Sequence, residues 1–281
     1  MRFADLHIHT YYSDSTSSPE EVITLAREKE LSCIAITDHD TIDGVLPTIA
    51  AAKEHDIEVI PGIELSSEIN GKDVHILGYL FDIENDYFRS QIDIMQDARV
   101  ERMKRMIEKL SDLGIKGITL EEVCALTKSK SVGRPHLAKI LLDKGKVGSM
   151  KSAFDKYLAE GAAAYVPKYH QSPYQIIDLI KKAGGISVLA HPMLTQVDEL
   201  IPAFVEHGLN GLEVFYPNCS ENTVHFYSEI AKKHNLLLTG GSDAHGAAKK
   251  NTYIGRMRIP YELVERMKDV KNQLNLKVGN S

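Results

Sequence analysis

The chain has 281 residues, 43% of them hydrophobic and 26% charged, which suits one large domain or one domain carrying a smaller insertion. A formal net charge of −6 and a pI near 6.1 argue against a broadly basic nucleic-acid-binding face and leave room only for a local basic patch. An acidic chain that handles an anionic substrate must supply positive charge locally, and bound metal ions are one way to do so.

Taken in chain order, short apolar runs alternate with amphipathic stretches. Phe3–Ile8 predicts a first strand, which runs into Asp5-Leu6-His7-Ile8-His9-Thr10. Side chains two apart in a strand share a face, so His7 and His9 present two imidazoles together. Imidazole is a common metal ligand, although this motif alone also fits surface or hydrogen-bonded core histidines. Asp14 follows in a polar turn, where an isolated Asp usually serves as a turn or cap residue. Ser17-Ser18 and Pro19 then predict a helix over Pro19–Lys29.

Cys33–Thr37 predicts a second strand, ending abruptly in Asp38-His39-Asp40. Polar groups at the carboxyl ends of parallel strands are where such folds place their sites. Asp38 and Asp40 read as caps of the next helix, Gly44–Glu54, whereas His39 is harder to dismiss. Glu58–Ile60 is the third predicted strand. Glu64 follows among apolar residues, where a buried carboxylate needs a partner or a metal. Val74–Tyr79 places His75 inside an apolar strand.

Residues 85–165 break the rhythm with a run of helices and no clear strand. Asp86–Leu113 has apolar residues at helical spacing, Thr119 to Glu122 is a capping box, and Pro135–Lys144 and Met150–Glu160 complete the insertion. Strand–helix alternation then resumes. Gln175–Lys182, Val197–His207 and Ser220–His234 read as helices, and Ile186–Ala190, Gly211–Val214 and Leu236–Thr239 as strands. Ile186–Ala190 ends in His191-Pro192. Leu236–Thr239 ends in Gly240-Gly241-Ser242-Asp243-Ala244-His245, whose glycines permit a close approach of backbone to a site. Seven strands in alternation with helices predict a largely parallel sheet, open or closed.

Six histidines thus fall within or at the ends of strands, and His55, His170, His207, His225 and His234 read as surface residues. A closed sheet would bring together His7, His9, Asp14, His39, Glu64, His75, His191, Asp243 and His245. Nine nitrogen and carboxylate groups exceed the needs of one tetrahedral ion and suit two or three. Cys33, Cys124 and Cys219 fit neither a disulfide framework nor a CxxC zinc site. The N-terminal MRFADLHIHT has no apolar leader region, and no run reaches membrane-span length. A soluble cytoplasmic protein without a membrane partner is expected.

The pattern of HxH, a following Asp, DH, E, H, HP and DxH from His7 to His245 resembles the polymerase-and-histidinol-phosphatase, or PHP, superfamily over nearly the whole chain. The resemblance implies a distorted (β/α)7, TIM-like barrel formed by residues 1–84 and 166–281, with residues 85–165 as a helical substrate cap. It also implies that His7, His9, Glu64 and Asp243 hold one ion, that Glu64 bridges to a second ion held with His75 and His191, and that Asp14, His39 and His245 hold a third. Manganese, iron or zinc would each suit such ligands. Ser131-Val-Gly-Arg-Pro-His136 opens a helix, whose N-terminus attracts anions, and Arg134 adds a charged planar fork. With Tyr157-Leu-Ala-Glu-Gly and Tyr165-Val-Pro, this segment is similar to the branch of nucleoside 3′,5′-bisphosphate phosphatases and 5′→3′ exoribonucleases, in which Arg134 and His136 would contact substrate phosphate.

The expected activity is hydrolysis of a phosphoric ester by hydroxide that metal binding makes available near neutral pH. The expelled alkoxide would be stabilised by a metal or by a protonated histidine, a role open to His191 or His245 only where it is not fully committed as a ligand, and Glu64 contributes as the bridging carboxylate. The expected partner is a small phosphorylated substrate, a nucleotide or short oligonucleotide, without a stable complex with long nucleic acid. A histidinol-phosphate phosphatase and a non-enzymatic metal-binding module are the alternatives. Oligomeric state is left open.

Overall fold

The computed structural model describes residues 1–169, 171–249 and 252–278, which leaves the expectation for His170 outside the described residues. The first half of the chain runs β1 (Phe3–Ile8), α1 (Pro19–Glu28), β2 (Cys33–Ile36), α2 (Val45–Ala52), β3 (Glu58–Ile69) and β4 (Lys72–Tyr79). Then come α3 (Asp86–Asp112), α4 (Leu120–Cys124), α5 (Arg134–Asp143) and α6 (Met150–Ala153), the last running into one π turn. The chain closes with α7 (Pro173–Lys182), β5 (Ile186–Leu189), α8 (Pro192–Thr195), α9 (Ile201–His207), β6 (Gly211–Phe215), α10 (Glu221–Lys233), β7 (Leu237–Gly240), β8 (Ile259–Pro260) and α11 (Glu262–Val278). Among the described residues, no helix is long and apolar enough to cross a membrane.

The strands form one sheet in the order β7-β6-β5-β4-β3-β2-β1-β8. Its two ends meet just past β7, where Ile8 bridges to Ala244 and the His9 N–H donates to the Ala244 carbonyl at 3.0 Å. The closure needs a glycine, because a Cβ on Gly241 would lie 2.3 Å from the His7 nitrogen. The result is a nearly closed, distorted α/β barrel of seven main strands, with the two-residue β8 added antiparallel to β1.

The sheet is less parallel than expected. β4 runs antiparallel to both β3 and β5. β3 reaches Ile69 rather than stopping at Ile60, and the two-residue Asn70-Gly71 turn joins it to β4. Both turn residues have positive φ, 53° and 75°, the geometry that matches the twist of a tight hairpin. Glu64 therefore sits mid-strand. The helix expected over Val197–His207 is also interrupted: Asp198–Leu200 is a 3₁₀ turn and α9 restarts at Ile201. Pro202 would clash with the carbonyl four residues back in a continuous helix.

Two apolar clusters meet along α3. Phe88, Ile92 and Met95 join a core with Ile63, Ile76, Ile176 and Phe204 beneath the sheet. Met103, Met106 and Leu110 join a separate core with Val123, Leu137, Leu141 and Val166.

Candidate metal centre and active site

The carboxyl ends of β1, β2, β5 and β7, together with mid-strand positions in β3 and β4, gather the titratable side chains into one buried centre. His7 and His9 lie on one face of the β1 end, with their Nε2 atoms 3.1 Å apart. Glu64 is 1% exposed and is surrounded by imidazoles. Its Oε1 is 2.8 Å from His75 Nδ1 and 3.0 Å from His191 Nε2. Its Oε2 is 3.2 Å from His7 Nε2, His9 Nε2 and His39 Nδ1. Asp243 Oδ1 adds contacts of 3.3 Å to His9 and 3.4 Å to His245. His245 Nε2 lies 3.2 Å from Asp14 Oδ1.

Three groups have ligand atoms within 4.8 Å of one another: His7, His9, Glu64 and Asp243; His9, Asp14, His39 and His245; and His39, Glu64 and His75. Each could hold a metal ion. All nine residues singled out by the motif pattern lie at this centre. His39 groups with His75 as well as with Asp14, while His191 shares Glu64 Oε1 with His75. Asp14 Oδ1, His39 Nδ1 and His245 Nε2 are buried without a hydrogen-bond partner. Buried polar atoms are rarely left so, and a cation shared among them would satisfy all three. The donor set, imidazole plus carboxylate, fits a divalent transition metal.

The electrostatics agree with that fit. Burial acts to raise the Glu64 carboxyl, but His39, His7 and His75 outweigh it and hold the group well below the usual carboxylate range. Asp14 and Asp243 are likewise held low against burial, chiefly by His245. All three are therefore carboxylates at neutral pH. Burial pulls His39 well below its ordinary value, against Glu64 and Asp14, which favour its charged form. His9 is pushed up to about 9 despite burial, by Asp243 and Glu64. On such a ring a metal ion and a proton compete for the same lone pair.

Several supporting residues escape a reading of the motifs. Fully buried Glu213, in β6, accepts from the His191 N–H at 2.8 Å and lies 2.9 Å from His7 Nδ1, fixing the orientation of the His7 ring. A lone Glu inside the apolar run Gly211–Phe215 was its signal. Tyr216 donates to Asp243 Oδ2 at 2.8 Å, leaving Oδ1 to the imidazoles. Asp5 takes the Ser242 and Gly255 N–H groups, and burial pushes its carboxyl up to about 6.

Asp38 and Asp40 do not cap α2, which begins at Gly44 without a side-chain cap. Asp38 instead accepts from Thr10 and Ser13 and shapes the turn that presents Asp14. Asp40 accepts from Arg99 Nε at 2.6 Å and the Ser66 N–H at 2.7 Å. Asp40, His191 and Asp243 all adopt positive φ, at 49°, 27° and 48°. Such backbone costs of order 1–3 kcal/mol per residue and persists where surrounding contacts over-determine it.

Beside His39, His75 and Asp14 opens a cleft of about 170 Å³, whose other wall carries Arg134 from α5 and Arg99 and Arg102 from α3. Arg134 reaches this cleft. His136 does not line it: the residue is buried, and its Nδ1 accepts the Gly133 N–H at 2.9 Å. That bond closes the N-terminus of α5 and commits Nδ1, one of the two ring nitrogens, to capping. Of the other histidines, His225 is exposed, while His55, His207 and His234 are half-buried, with His207 3.1 Å from Asp178.

Comparison with known proteins agrees with this architecture. The PHP domain family matches residues 5–240. The 5′-3′ exoribonuclease Rnm of Escherichia coli (strain K12) is 33% identical over 248 residues, covering 86% of this chain and 84% of that protein. The 3′,5′-nucleoside bisphosphate phosphatase of Chromobacterium violaceum is 31% identical over 260 residues, covering 91% of each. A crystal structure from Bifidobacterium adolescentis, assigned as a metal-dependent phosphoesterase, superposes with a TM-score of 0.85 at 32% identity, covering 94% of both chains. With its barrel, its imidazole–carboxylate centre and these relatives, the chain belongs to the PHP domain family.

Proposed function

We propose that this phosphoric-ester hydrolase acts on a nucleotide-type substrate: a nucleoside 3′,5′-bisphosphate, a mononucleotide or a short 5′-phosphorylated RNA. The observation that carries the reading is the shared cleft, in which the imidazole–carboxylate centre faces the Arg134 guanidinium across about 170 Å³. The relatives named for nucleotide and RNA substrates support it. His7, His9, Asp14, His39, Glu64, His75, His191, Asp243 and His245 would hold two or three divalent ions, manganese, iron or zinc, with Glu64 shared between the groups. Such ions neutralise phosphate charge and lower the pKa of water. Residues 1–84 and 166–281 form the metal-binding barrel, and residues 85–165 act as its substrate cap.

The chain's own groups then divide the work. Arg134 orients the phosphate through its charged fork. Ser66 and Ser131 line the cleft, but Ser131 donates to the His39 carbonyl and Ser66 Oγ accepts from Arg99 at 3.0 Å. Neither hydroxyl has a base beside it to make it a nucleophile, so water is the attacking group. His191 or His245 returns a proton to the leaving oxygen only through a ring nitrogen that is not committed to an ion. The test is a panel of adenosine 3′,5′-bisphosphate, adenosine monophosphates, short 5′-phosphorylated RNA and histidinol phosphate, assayed with metal-reconstituted protein. Turnover of the nucleotide substrates is expected. Turnover of histidinol phosphate alone, or of none of them, overturns the reading.

A further inference from the structure

We propose that residues 127–131, in the link between α4 and α5, form a strap that positions the ion group of His9, Asp14, His39 and His245, so that loading of this group and docking of the helical segment on the barrel are linked. The proposal rests on the metal-binding role of the centre and deepens it: this group depends on the helical segment, whereas the group of His7, His9, Glu64 and Asp243 does not.

The strap carries a hydroxyl at every second position, Thr127, Ser129 and Ser131. On either side of it Val123 and Val132 are buried in the core of the helical segment, which anchors both ends. Within it, the Ser129 N–H donates to Thr127 Oγ1 at 3.3 Å and the Ser131 N–H to Ser129 Oγ at 2.9 Å. The hydroxyls donate across to the barrel. Thr127 Oγ1 and Ser129 Oγ reach the Tyr12 carbonyl at 2.9 and 2.6 Å, and Ser131 Oγ reaches the His39 carbonyl. A carbonyl oxygen has two lone pairs, so both bonds to Tyr12 form together. The Lys128 N–H adds a bond to the Tyr11 carbonyl at 3.0 Å.

These bonds hold the backbone that presents ligands. Asp14 lies two residues beyond Tyr12, in a turn outside any strand or helix. The barrel secures that turn through Asp38, which accepts from Thr10 and Ser13, and the strap secures it at Tyr11 and Tyr12. Asp14 Oδ1, His39 Nδ1 and His245 Nε2, buried without a hydrogen-bond partner, all belong to this one group. A turn ordered in advance lowers the cost of binding an ion there. His7 and Glu64, by contrast, stand on β1 and β3, and His9 and Asp243 flank the closure at Ala244. Among the described residues, no hydrogen bond from residues 127–131 reaches these four. Ser131 acts on His39, which two groups share, whereas Thr127 and Ser129 act through the turn that bears Asp14, a ligand of this group alone. Coupling of this kind is reciprocal: if the strap strengthens ion binding, the ion stabilises the docked strap by the same factor.

The experiment follows Mn²⁺ binding to the chelator-stripped full chain by equilibrium dialysis and plasma mass spectrometry. Wild type is compared with Ser129→Ala, Ser129→Thr, the double variant Thr127→Val with Ser129→Ala, and Asp14→Asn. Asp14→Asn identifies the ion that belongs to this group. That same ion should bind about twofold to tenfold more weakly in Ser129→Ala, the scale of one neutral hydrogen bond, and more weakly still in the double variant, with the other ions unchanged. Ser129→Thr keeps the hydroxyl and should bind as wild type does. Adding the strap substitutions to Asp14→Asn should cost nothing more, because the ion they act through is already lost. Hydrogen exchange reads the reciprocal effect in wild type, so it does not depend on any variant folding. Mn²⁺ should slow exchange at the amides of Lys128, Ser129 and Ser131, and should slow it less in Asp14→Asn. Equal weakening of every ion, further loss in the combined variant, or strap exchange indifferent to Mn²⁺ would overturn the proposal. Wild type that holds no Mn²⁺ would overturn the metal centre itself, while ions held equally by wild type and the double variant would overturn the strap alone.

Discussion

Replacing Glu64 with Gln strikes the centre at its most connected point. One carboxylate oxygen faces His75 and His191 at 2.8 and 3.0 Å, and the other faces His7, His9 and His39 at 3.2 Å. Gln preserves the shape, removes the charge and turns one of the two oxygens into an NH₂ donor. Whichever way the amide sits, one of the groups sharing this side chain loses an anionic acceptor and gains an N–H in its place. A hydrogen bond to a charged group contributes about 1.5–3 kcal/mol. At about 1.4 kcal/mol per factor of ten, ion affinity in the affected group should fall by about tenfold to just over a hundredfold. Metal content after reconstitution and gel filtration, read by plasma mass spectrometry, should drop. The rate on p-nitrophenyl phosphate should fall at least as far, with partial recovery in excess metal. Thermal melts of both proteins in chelator separate a lost ion from a lost fold. Full metal stoichiometry together with an unchanged rate would refute the bridging role.

Two further expectations follow from the same geometry. Hydrolysis in heavy-oxygen water should place the label in released inorganic phosphate and none in the alcohol product; trapping a phosphorylated side chain on the path would contradict direct attack by water. His136 is buried as a neutral cap, and burial lowers its pKa below 6.5, so its contribution to stability is complete above that value and is lost as pH falls below it. His136→Gln, which can still accept the Gly133 N–H, should flatten the fall in melting temperature between about pH 6.5 and pH 5; a slope equal to wild type would show that His136 is not its source.

Apart from Asp14 in its polar turn, the motif residues were legible because they follow or interrupt apolar runs, so a strand and its chemistry are read together. His7 and His9 need only the two-residue period of β1 to share a face. What was missed has local physical causes. Asn70-Gly71 is a strong hairpin signal, and overlooking it shortened β3 to Glu58–Ile60 and made the sheet seem mostly parallel. Asp38 and Asp40 carry the usual chemistry of helix caps, yet their acceptors are taken by Thr10, Ser13, Ser66 and Arg99, partners distant in sequence. His136 was read with its neighbour Arg134 as a phosphate contact, and the capping role of its Nδ1, three residues from Gly133, was not read. Nothing local separates Arg99 and Arg102 from ordinary solvated helix charges.

The position of those two arginines follows from how α3 is divided. The helix has 27 residues, about 40 Å at 1.5 Å per residue. Its apolar stripe serves the core beneath the sheet as far as Met95 and the core of the helical segment from Met103 onward. Between them, Gln96 donates to the Asp40 carbonyl and Arg99 to the Asp40 carboxylate and Ser66, tying the helix to the ends of β2 and β3. Arg102 lies one turn further, where the first core has ended and the second begins, and it is tied across to Val166. Arg102 is half-buried there, with its guanidinium 5.7 Å from the centroid of the Tyr165 ring. It is left pointing into the cleft that the two cores enclose. An unbroken helix packed into both cores carries Arg99 and Arg102 to the wall of that cleft.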